Sequence, residues 1–341
     1  MEVSSDTTQA DSTGSVEESA GVLACRTEVW APLLEGLAID STAVDIGQDF
    51  VDYLNEDGLD GGALPMPRRD SDDSDSDWEY DDSPRPDSYP ASSTLAERFP
   101  VLNARVEEVI GGFGGFAFPK LSWSAPTDAE WLRGPDGMKC RNLDEIAVLL
   151  KASDFAQFDL QRLALPEGQR QIAPLPKLIL KPYLEPFHET LEFRCFVRNR
   201  KLRGVCPRHL TGHLPFLQEM MFGEDQGLAK LRGFIENQVM IRLAREDYDR
   251  IVIDVYKRKD RYLVVDLGPW DEELTDSLLF TWEELQQQEG GDEVEWREVP
   301  RGSMPTNPSA VRKQASRMPV EVAQQLLLHG GDVEKLVDSL R

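Results

Sequence analysis

The chain has 341 residues and a formal net charge of −25, from 62 acidic and 37 basic side chains. Residues 1–100 carry 24 acids and 5 bases, net −19, whereas the rest carries 38 and 32, net −6. No segment has the basic excess that phosphate-backbone contacts demand, which excludes a nucleic-acid binder held by its charge.

Compartment is read from what is missing. The N-terminus is acidic and polar, with neither the basic nor the apolar region of a secretory signal. No run approaches the roughly 18 apolar residues needed to span a bilayer. The four cysteines, Cys25, Cys140, Cys195 and Cys206, lack the close pairing of zinc sites or disulfide scaffolds. A cytoplasmic protein without membrane association is expected, with length suggesting about two domains.

In chain order, residues 1–24 are rich in Ser, Thr, Asp and Glu and predict an acidic disordered terminus. Residues 25–54 change character, with Trp30, Leu34, Ile39, Val44, Phe50 and Tyr53 predicting a segment packed on a folded body. Residues 55–94 read as an acidic disordered loop. Between Asp70 and Asp87 nine acids accompany one base, and too few apolar side chains offset the entropy of ordering. Phosphorylation of Ser71, Ser74, Ser76 or Ser83 is the alternative to a plain solvating role for that stretch.

The spacing of Phe99, Leu102, Val106, Val109 and Ile110 predicts a helix over 95–110. Gly111–Gly115 closes it, and 116–120 resumes extended. That glycine run lacks the Gly-Lys-Ser/Thr ending of a P-loop and reads as a helix C-cap. Thr127 or Asp128 predicts a short helix start, and Asn142 a cap for a helix over 142–151 with Ile146, Leu149 and Leu150 inward. Strands are predicted at 176–184, 191–198 and 201–208, then a helix at 226–245, a hairpin at 250–267 and a helix near 281–288. The tail, 291–341, predicts a short helix at 331–340. Tight antiparallel pairs mixed with helices make the fold α+β rather than a doubly wound parallel sheet.

The hairpin is the most informative stretch. Folded about Asp260, it sets Asp254 opposite Asp266, on one face and flanked by apolar residues. Opposed like charges are destabilising, and carboxylates beside Ile, Val and Leu lose hydration. A divalent cation removes both costs, and magnesium uses one or two carboxylates together with substrate phosphates. The alternative is a register shifted by one, with one Asp in solvent. In the strand at 191–198, Glu192, Arg194, Phe196 and Arg198 share a face. That pattern fits either an ordinary half-exposed strand or a cleft in which Glu192 and Arg194 meet a phosphate. The return strand brings Arg208, while Lys181 and Lys120 each follow an apolar run. Two Lys and two Arg with two Asp suit a polyphosphate–metal site. His209 and His213 are four apart but read as loop rather than as metal ligands. No Gly-x-Ser-x-Gly elbow or thiol-hydrolase motif is present.

Several motifs resemble one known family. They are Phe118-Pro-Lys120-Leu-Ser122-Trp123-Ser-Ala-Pro126 with Thr127 to Trp131, Glu192-Phe-Arg194-Cys-Phe-Val, Asp254-Val-Tyr, and Thr275-Asp-Ser-Leu-Leu-Phe-Thr-Trp-Glu-Glu-Leu285. The chain is similar to the cell-division-cycle protein 123 family, assembly chaperones of eukaryotic translation initiation factor 2. The similarity runs from about Cys25 to the final Gly330–Leu340. It implies an ATP-grasp-like fold: two α/β lobes with antiparallel sheets, here 95–184 with the hinge and 185–290, enclosing a cleft for ATP and magnesium. It also implies binding to the C-terminal domain of the factor's gamma subunit and promotion of heterotrimer assembly.

Residue by residue, the resemblance implies phosphate or nucleotide contacts at Lys120 and Lys181, and an adenine-bearing hinge at Pro182, Tyr183 and Leu184. It implies pocket roles for Glu192, Arg194 and Arg208, and metal ligation by Asp254 and Asp266. The chain departs from the family pattern at three places. The family's Asp-Phe-Asn-Pro-Phe is Asp266-Leu-Gly268-Pro-Trp270 here, so the Asn oxygen that would help hold magnesium is missing at Gly268. Ser122 stands where the family has Asn, and Lys181-Pro182-Tyr183 where it has Arg-Lys-Trp. Both carboxylates remain, so weaker magnesium binding completed by water is expected. A monomeric, ATP-binding chaperone without required turnover is the expectation. An ATP-grasp ligase joining a carboxylate to an amine, or a scaffold that has lost nucleotide binding, are the alternatives.

Overall fold

The computed structural model describes residues 20–56, 95–161, 175–210, 212–259, 261–287 and 293–301. The acidic terminus before Ala20, the bulk of the acidic loop, Asp260 and the expected helix at 331–340 lie outside the described residues. The chain divides into two compact units, one containing Thr42–Tyr183 and the other Met1–Ser41 with Leu184–Gln314.

The unit containing Thr42–Tyr183 is built on a three-stranded antiparallel sheet. Its strands are β1 (Thr42–Asp45), β2 (Ala117–Lys120) and β3 (Lys177–Pro182), with β3 in the middle. Leu178, Ile179 and Leu180 are fully or almost fully buried, as a central strand with both faces covered requires. Helices Gly47–Asn55, Pro100–Gly112 and Leu143–Ala152 contribute Phe50, Leu54, Val106, Ile146 and Leu149 to one core.

The single helix expected over 95–110 is two helices, Leu95–Arg98 and Pro100–Gly112. Phe99 between them sits at φ −128°, ψ 61°, because a residue preceding proline is driven out of the α region, while Pro100 suits the first helical position. Gly114 and Gly115, at φ 85° and 98°, close the helix as its C-cap: the Gly115 N–H donates to the Ile110 carbonyl at 2.9 Å. Asn142 caps the next helix, its side chain accepting from the Glu145 N–H at 2.9 Å. Thr127–Asp136 is a 3-10 segment that starts no α-helix. The Asp128 carboxylate instead accepts from the Ser153 hydroxyl at 2.5 Å and the Asp154 N–H at 2.8 Å. It thus caps Asp154–Gln161, a helix the hydrophobic pattern did not reveal.

The other unit holds a five-stranded sheet in the order β7-β6-β4-β5-β8. Its strands are β4 (Glu192–Arg198), β5 (Lys201–Pro207), β6 (Arg250–Arg258), β7 (Arg261–Pro269) and β8 (Glu295–Trp296). All neighbours are antiparallel except β8, which runs parallel to β5. β4 is buried from Glu192 through Val197, so it is a central strand covered on both faces and not a half-exposed one. Phe196 anchors the core on one face, with Phe280 and Trp282 ring centroids 5.2 and 6.3 Å away. Phe280 reaches it only because residue 204, opposite Phe196, is glycine: a Cβ there would lie 2.7 Å from the Phe280 ring.

The expected helix at 226–245 is subdivided. Gly227–Phe234 is α-helical, Ile235–Val239 widens into a π-turn, and Met240–Arg242 completes it. From this turn Glu236 accepts from Lys201 Nζ at 3.0 Å and the Leu202 N–H at 3.2 Å, which fastens the start of β5. Asn199 and Arg200, at φ 51° and 62°, form the two-residue β4–β5 turn that primed hairpins require. Ala38 forms an isolated parallel bridge to Val264 at the outer edge of β7. Val264 donates to the Leu37 carbonyl at 2.8 Å and accepts from the Ile39 N–H at 3.0 Å, and the Tyr248 hydroxyl donates to the Ala24 carbonyl at 3.1 Å.

No helix among the described residues is long and apolar enough to cross a membrane.

Candidate functional site

Asp254 pairs with Asp266 across β6 and β7, the opposition expected from the sequence, but Asp260 is not the pivot. The ladder closes on Arg258 opposite Arg261, leaving a two-residue connection, and keeps Val255 opposite Val264. Between Val255 and Asp254 the register shifts by one residue. This bulge skips Val265 and brings Asp266 round to the face of Asp254. Without it, Asp254 would meet Val265 and Asp266 would point to the other side of the sheet.

Opposed carboxylates need counter-charge, and β4 and β5 supply it. Arg194 lies opposite Asp254 and grips it side-on through one edge of its guanidinium, Nε to Oδ1 at 2.8 Å and Nη2 to Oδ2 at 2.7 Å. Its remaining terminal nitrogen, Nη1, donates to the Asp276 carbonyl at 2.6 Å. Burial opposes the charge on Arg194, but Asp254 outweighs it and leaves the guanidinium more firmly protonated than usual. Arg208, just past β5, adds a third contact, Nε to Asp254 Oδ2 at 3.0 Å. Its N–H donates to the Glu192 carbonyl at 2.8 Å, so the ladder pairing extends to it.

Glu192 is buried at the start of β4. Its carboxylate meets His209 Nε2 at 2.7 Å, and His209 Nδ1 lies 3.4 Å from Glu189. His209 therefore belongs to the charged array, although the sequence suggested only loop. Its acidic partners are distant in sequence, and no spacing rule links them. His213 is separate, 3.2 Å from the Val299 carbonyl.

Gly268 lies opposite Val252, two residues beyond Asp266. A Cβ at 268 would stand 3.0 Å from Thr275 Oγ1 and 3.2 Å from its Cγ2. Thr275 is buried and donates to the Pro269 carbonyl at 2.7 Å. The space a side chain at 268 would need is thus taken by Thr275, the first residue of the motif Thr275–Leu285. Among the described residues no group of three or more His, Cys, Asp or Glu is gathered to hold a metal. Asp254 and Asp266 bring two carboxylates to one face of the β6–β7 ladder.

The other expected residues, Leu184 apart, lie in the unit of β1–β3. Lys120 is opposite Ile179 and Lys181 opposite Phe118, so both lysines lie diagonally on one face of the β2–β3 ladder. Both are buried. Ser122 is buried and its hydroxyl accepts from the Lys177 N–H at 2.9 Å. Trp123 is half-buried, and the turn that holds it is fixed next door, where Ser124 N–H and hydroxyl donate to buried Asp159 at 2.7 and 2.8 Å. Pro182 and Tyr183 are half-buried at the end of β3. The Lys139 ammonium sits 5.4 Å from the Tyr183 ring centroid and 4.3 Å from that of Phe116, a cation–aromatic group near the end of β3 that the motifs did not mark. Leu184, half-buried, begins the chain's return to the other unit.

Residues 30–325 match the D123 family over most of the chain, and the chain belongs to that family. Among individual relatives, a protein of Aspergillus terreus named "Cell division cycle protein 123" is 32% identical over 295 residues, which is 83% of this chain and 66% of that one. A protein of Xenopus tropicalis named "Translation initiation factor eIF2 assembly protein" is 30% identical over 330 residues, 94% of this chain and 95% of that one. The solved structure of Cdc123 from Schizosaccharomyces pombe superposes with a TM-score of 0.62 at 26% identity, covering 82% of this chain and 97% of that one.

Proposed function

We propose that this chain is an assembly chaperone for eukaryotic translation initiation factor 2, working as a cytoplasmic monomer. In this reading it binds the C-terminal domain of the gamma subunit and promotes its joining with the other subunits, supporting translation initiation and cell-cycle progression. The observation that carries the assembly role is the similarity to the Xenopus tropicalis protein, named for eIF2 assembly, across 94% of this chain and 95% of that one. Similarity over both full lengths supports a shared whole-chain role more than a shared fragment would.

The same reading gives the chain an ATP-grasp-like fold that binds ATP and magnesium. Lys120 and Lys181 supply positive charge for phosphates, and Pro182, Tyr183 and Leu184 a surface for the adenine. Glu192, Arg194 and Arg208 line the pocket, and Asp254 and Asp266 are the carboxylates for the metal. Bound there, magnesium would offset phosphate charge as a Lewis acid. With Gly268 providing no donor, water completes its shell and the metal binds weakly. The nucleotide stabilises the protein's shape, and turnover is not required.

Purified chain is expected to be retained at low salt by the immobilised C-terminal domain of the gamma subunit; absence of retention overturns the chaperone role. Titration calorimetry with millimolar ATP is expected to give heat that magnesium increases, and silence in both buffers overturns nucleotide binding. ADP release stimulated by a carboxylate and an amine would favour the ligase instead.

A further inference from the structure

Bases crowd the end of the β6–β7 hairpin. Lys257, Arg258, Lys259 and Arg261 fall within five residues of a chain whose net charge is −25. Arg258, Lys259 and Arg261 are exposed, and Lys257 is half-buried. This tip does little for the fold. Arg258 stands directly opposite Arg261 on the ladder, and like charges so placed repel. Lys259 takes the left-handed backbone, φ 53°, at a turn position that suits glycine or asparagine. Among the described residues none of the four is in an ion pair, and the Lys257 ammonium donates to the Lys259 carbonyl at 2.9 Å instead. Elsewhere on the same sheet bases do find acids: Lys201 pairs with Glu236 at 3.0 Å and Arg200 with Asp249 at 3.3 Å. Local rules broken together, with no gain to the fold, mark a site kept for another purpose.

An aromatic shelf adjoins the tip. Tyr256 lies two residues before Arg258 and so on the same face of β6, and the Phe187 ring stacks on it at 4.3 Å. Phe187 remains 36% exposed. We infer that the Arg258–Arg261 pair, with Phe187 beside it, is a docking surface for an acidic segment of a partner protein that also carries an apolar side chain. Carboxylates of that segment offset the repulsion between the two guanidiniums, so docking relieves what folding tolerates. The extent of the charge decides the class of partner. Nucleic acids and anionic membranes present negative charge over long distances, and either would meet the acidic body as well as the tip. A short acidic segment meets the tip alone, because charge on the rest of the body is screened beyond about 8 Å at physiological salt.

The experiment titrates the full chain, without nucleotide or magnesium, into a short fluorescent peptide of Glu and Asp around one Leu. Anisotropy reads the binding, and a single-stranded RNA of equal length is titrated in parallel. Wild type is expected to bind the peptide, less tightly as salt rises, and to bind the RNA more weakly. Arg258→Glu is expected to weaken the peptide severalfold yet raise the melting midpoint slightly, since the opposed pair then has unlike charges. Arg258→Glu combined with Arg261→Glu restores like charges, so the midpoint falls back towards wild type while affinity drops at least about tenfold. A merely structural tip would not separate stability from binding in this order. Phe187→Ser, or a peptide with Ser in place of its Leu, is expected to weaken binding severalfold. The altered peptide leaves the protein untouched, so it decides the apolar contact if Phe187→Ser melts abnormally. Wild-type affinity in the double variant, or no peptide binding at low salt, overturns the surface. Equal affinity for the Leu and Ser peptides overturns the apolar contact. RNA bound more tightly than peptide, and lost in the double variant, overturns the protein partner in favour of nucleic acid.

Discussion

Arg194 and Arg208 carry equal charge to one carboxylate from different depths, their side chains 8% and 19% exposed, and exposure also sets what ion pairs elsewhere contribute. Arg297 meets Glu284 at 2.9 Å and Glu295 at 2.7 Å on the surface. The Arg297 hydrogen bond, followed by that from the Thr281 N–H, lowers the Glu284 carboxyl from 4.5 to about 2. A carboxylate whose folded value is depressed adds stability fully above its unfolded value, and loses it as pH falls through the folded one. The contribution is thus present above about 4.5 and lost on the way down to about 2. Glu284 is 46% exposed, so screening holds the gain below about 1 kcal/mol. Glu284→Gln is expected to melt below wild type near neutral pH, with the gap closing across that acid window in a series of thermal melts. A gap that stays constant would refute the pairing. At this scale the alternation of β4 was legible, since a period of two assigns Glu192 and Arg194 to one face. The hold of His209 on Glu192 was not, because it joins residues with no regular spacing.

The hairpins show how far an element can be read before its turns are seen. Counting about Asp260 predicted the right carboxylate pair through the wrong geometry: a two-residue connection displaces the ladder by one, and the bulge near Val265 restores it. Bulges leave no reliable mark in the alternation of apolar residues, since Val264 and Val265 suit a strand equally well. Two turn residues with the same left-handed backbone should answer glycine in opposite ways. Lys259 sits at φ 53°, where a side chain costs about 1 kcal/mol that glycine avoids. Lys259→Gly is expected to leave stability unchanged or raise it by up to about 1 kcal/mol. Arg200 sits at φ 62°, but its side chain donates to the Leu243 carbonyl at 2.9 Å and to the Met240 carbonyl, and pairs with Asp249 at 3.3 Å. Arg200→Gly is expected to lose about 1–3 kcal/mol despite the relieved backbone. Urea midpoints of the two variants give the comparison, and a shift of the same sign in both would contradict it.

Across the whole molecule, chain order and spatial order part company. Residues 20–41 belong to the unit of β4–β8, from which more than a hundred residues separate them in sequence. Trp30 and Leu34 are fully buried there, and Leu37 and Ile39 hydrogen-bond to Val264. Burying side chains of this size contributes about 1.5–3 kcal/mol each. A chain beginning at Thr42 is therefore expected to lose on the order of 5 kcal/mol in that unit and to bind a hydrophobic dye under native conditions. An unchanged urea midpoint would show that the segment is only draped on the sheet.

Local rules settled much of this protein before any coordinates. Composition placed the excess charge in the first third, Asn142 marked its own helix, alternation set Glu192 beside Arg194, and quoted motifs pointed to the family that the comparison then showed. These features depend on neighbours a few residues away, which propensity and period describe directly. The tertiary structure decided the rest. It assigned residues 20–41 to the sheet of β4–β8, turned Asp128 into a cap for a helix 26 residues on, and filled the space at Gly268 with Thr275. Most of all, it brought two arginines to one carboxylate at different depths, their side chains 8% and 19% exposed. Which acceptors a guanidinium meets is set by strands and loops far apart along the chain, which no local pattern describes.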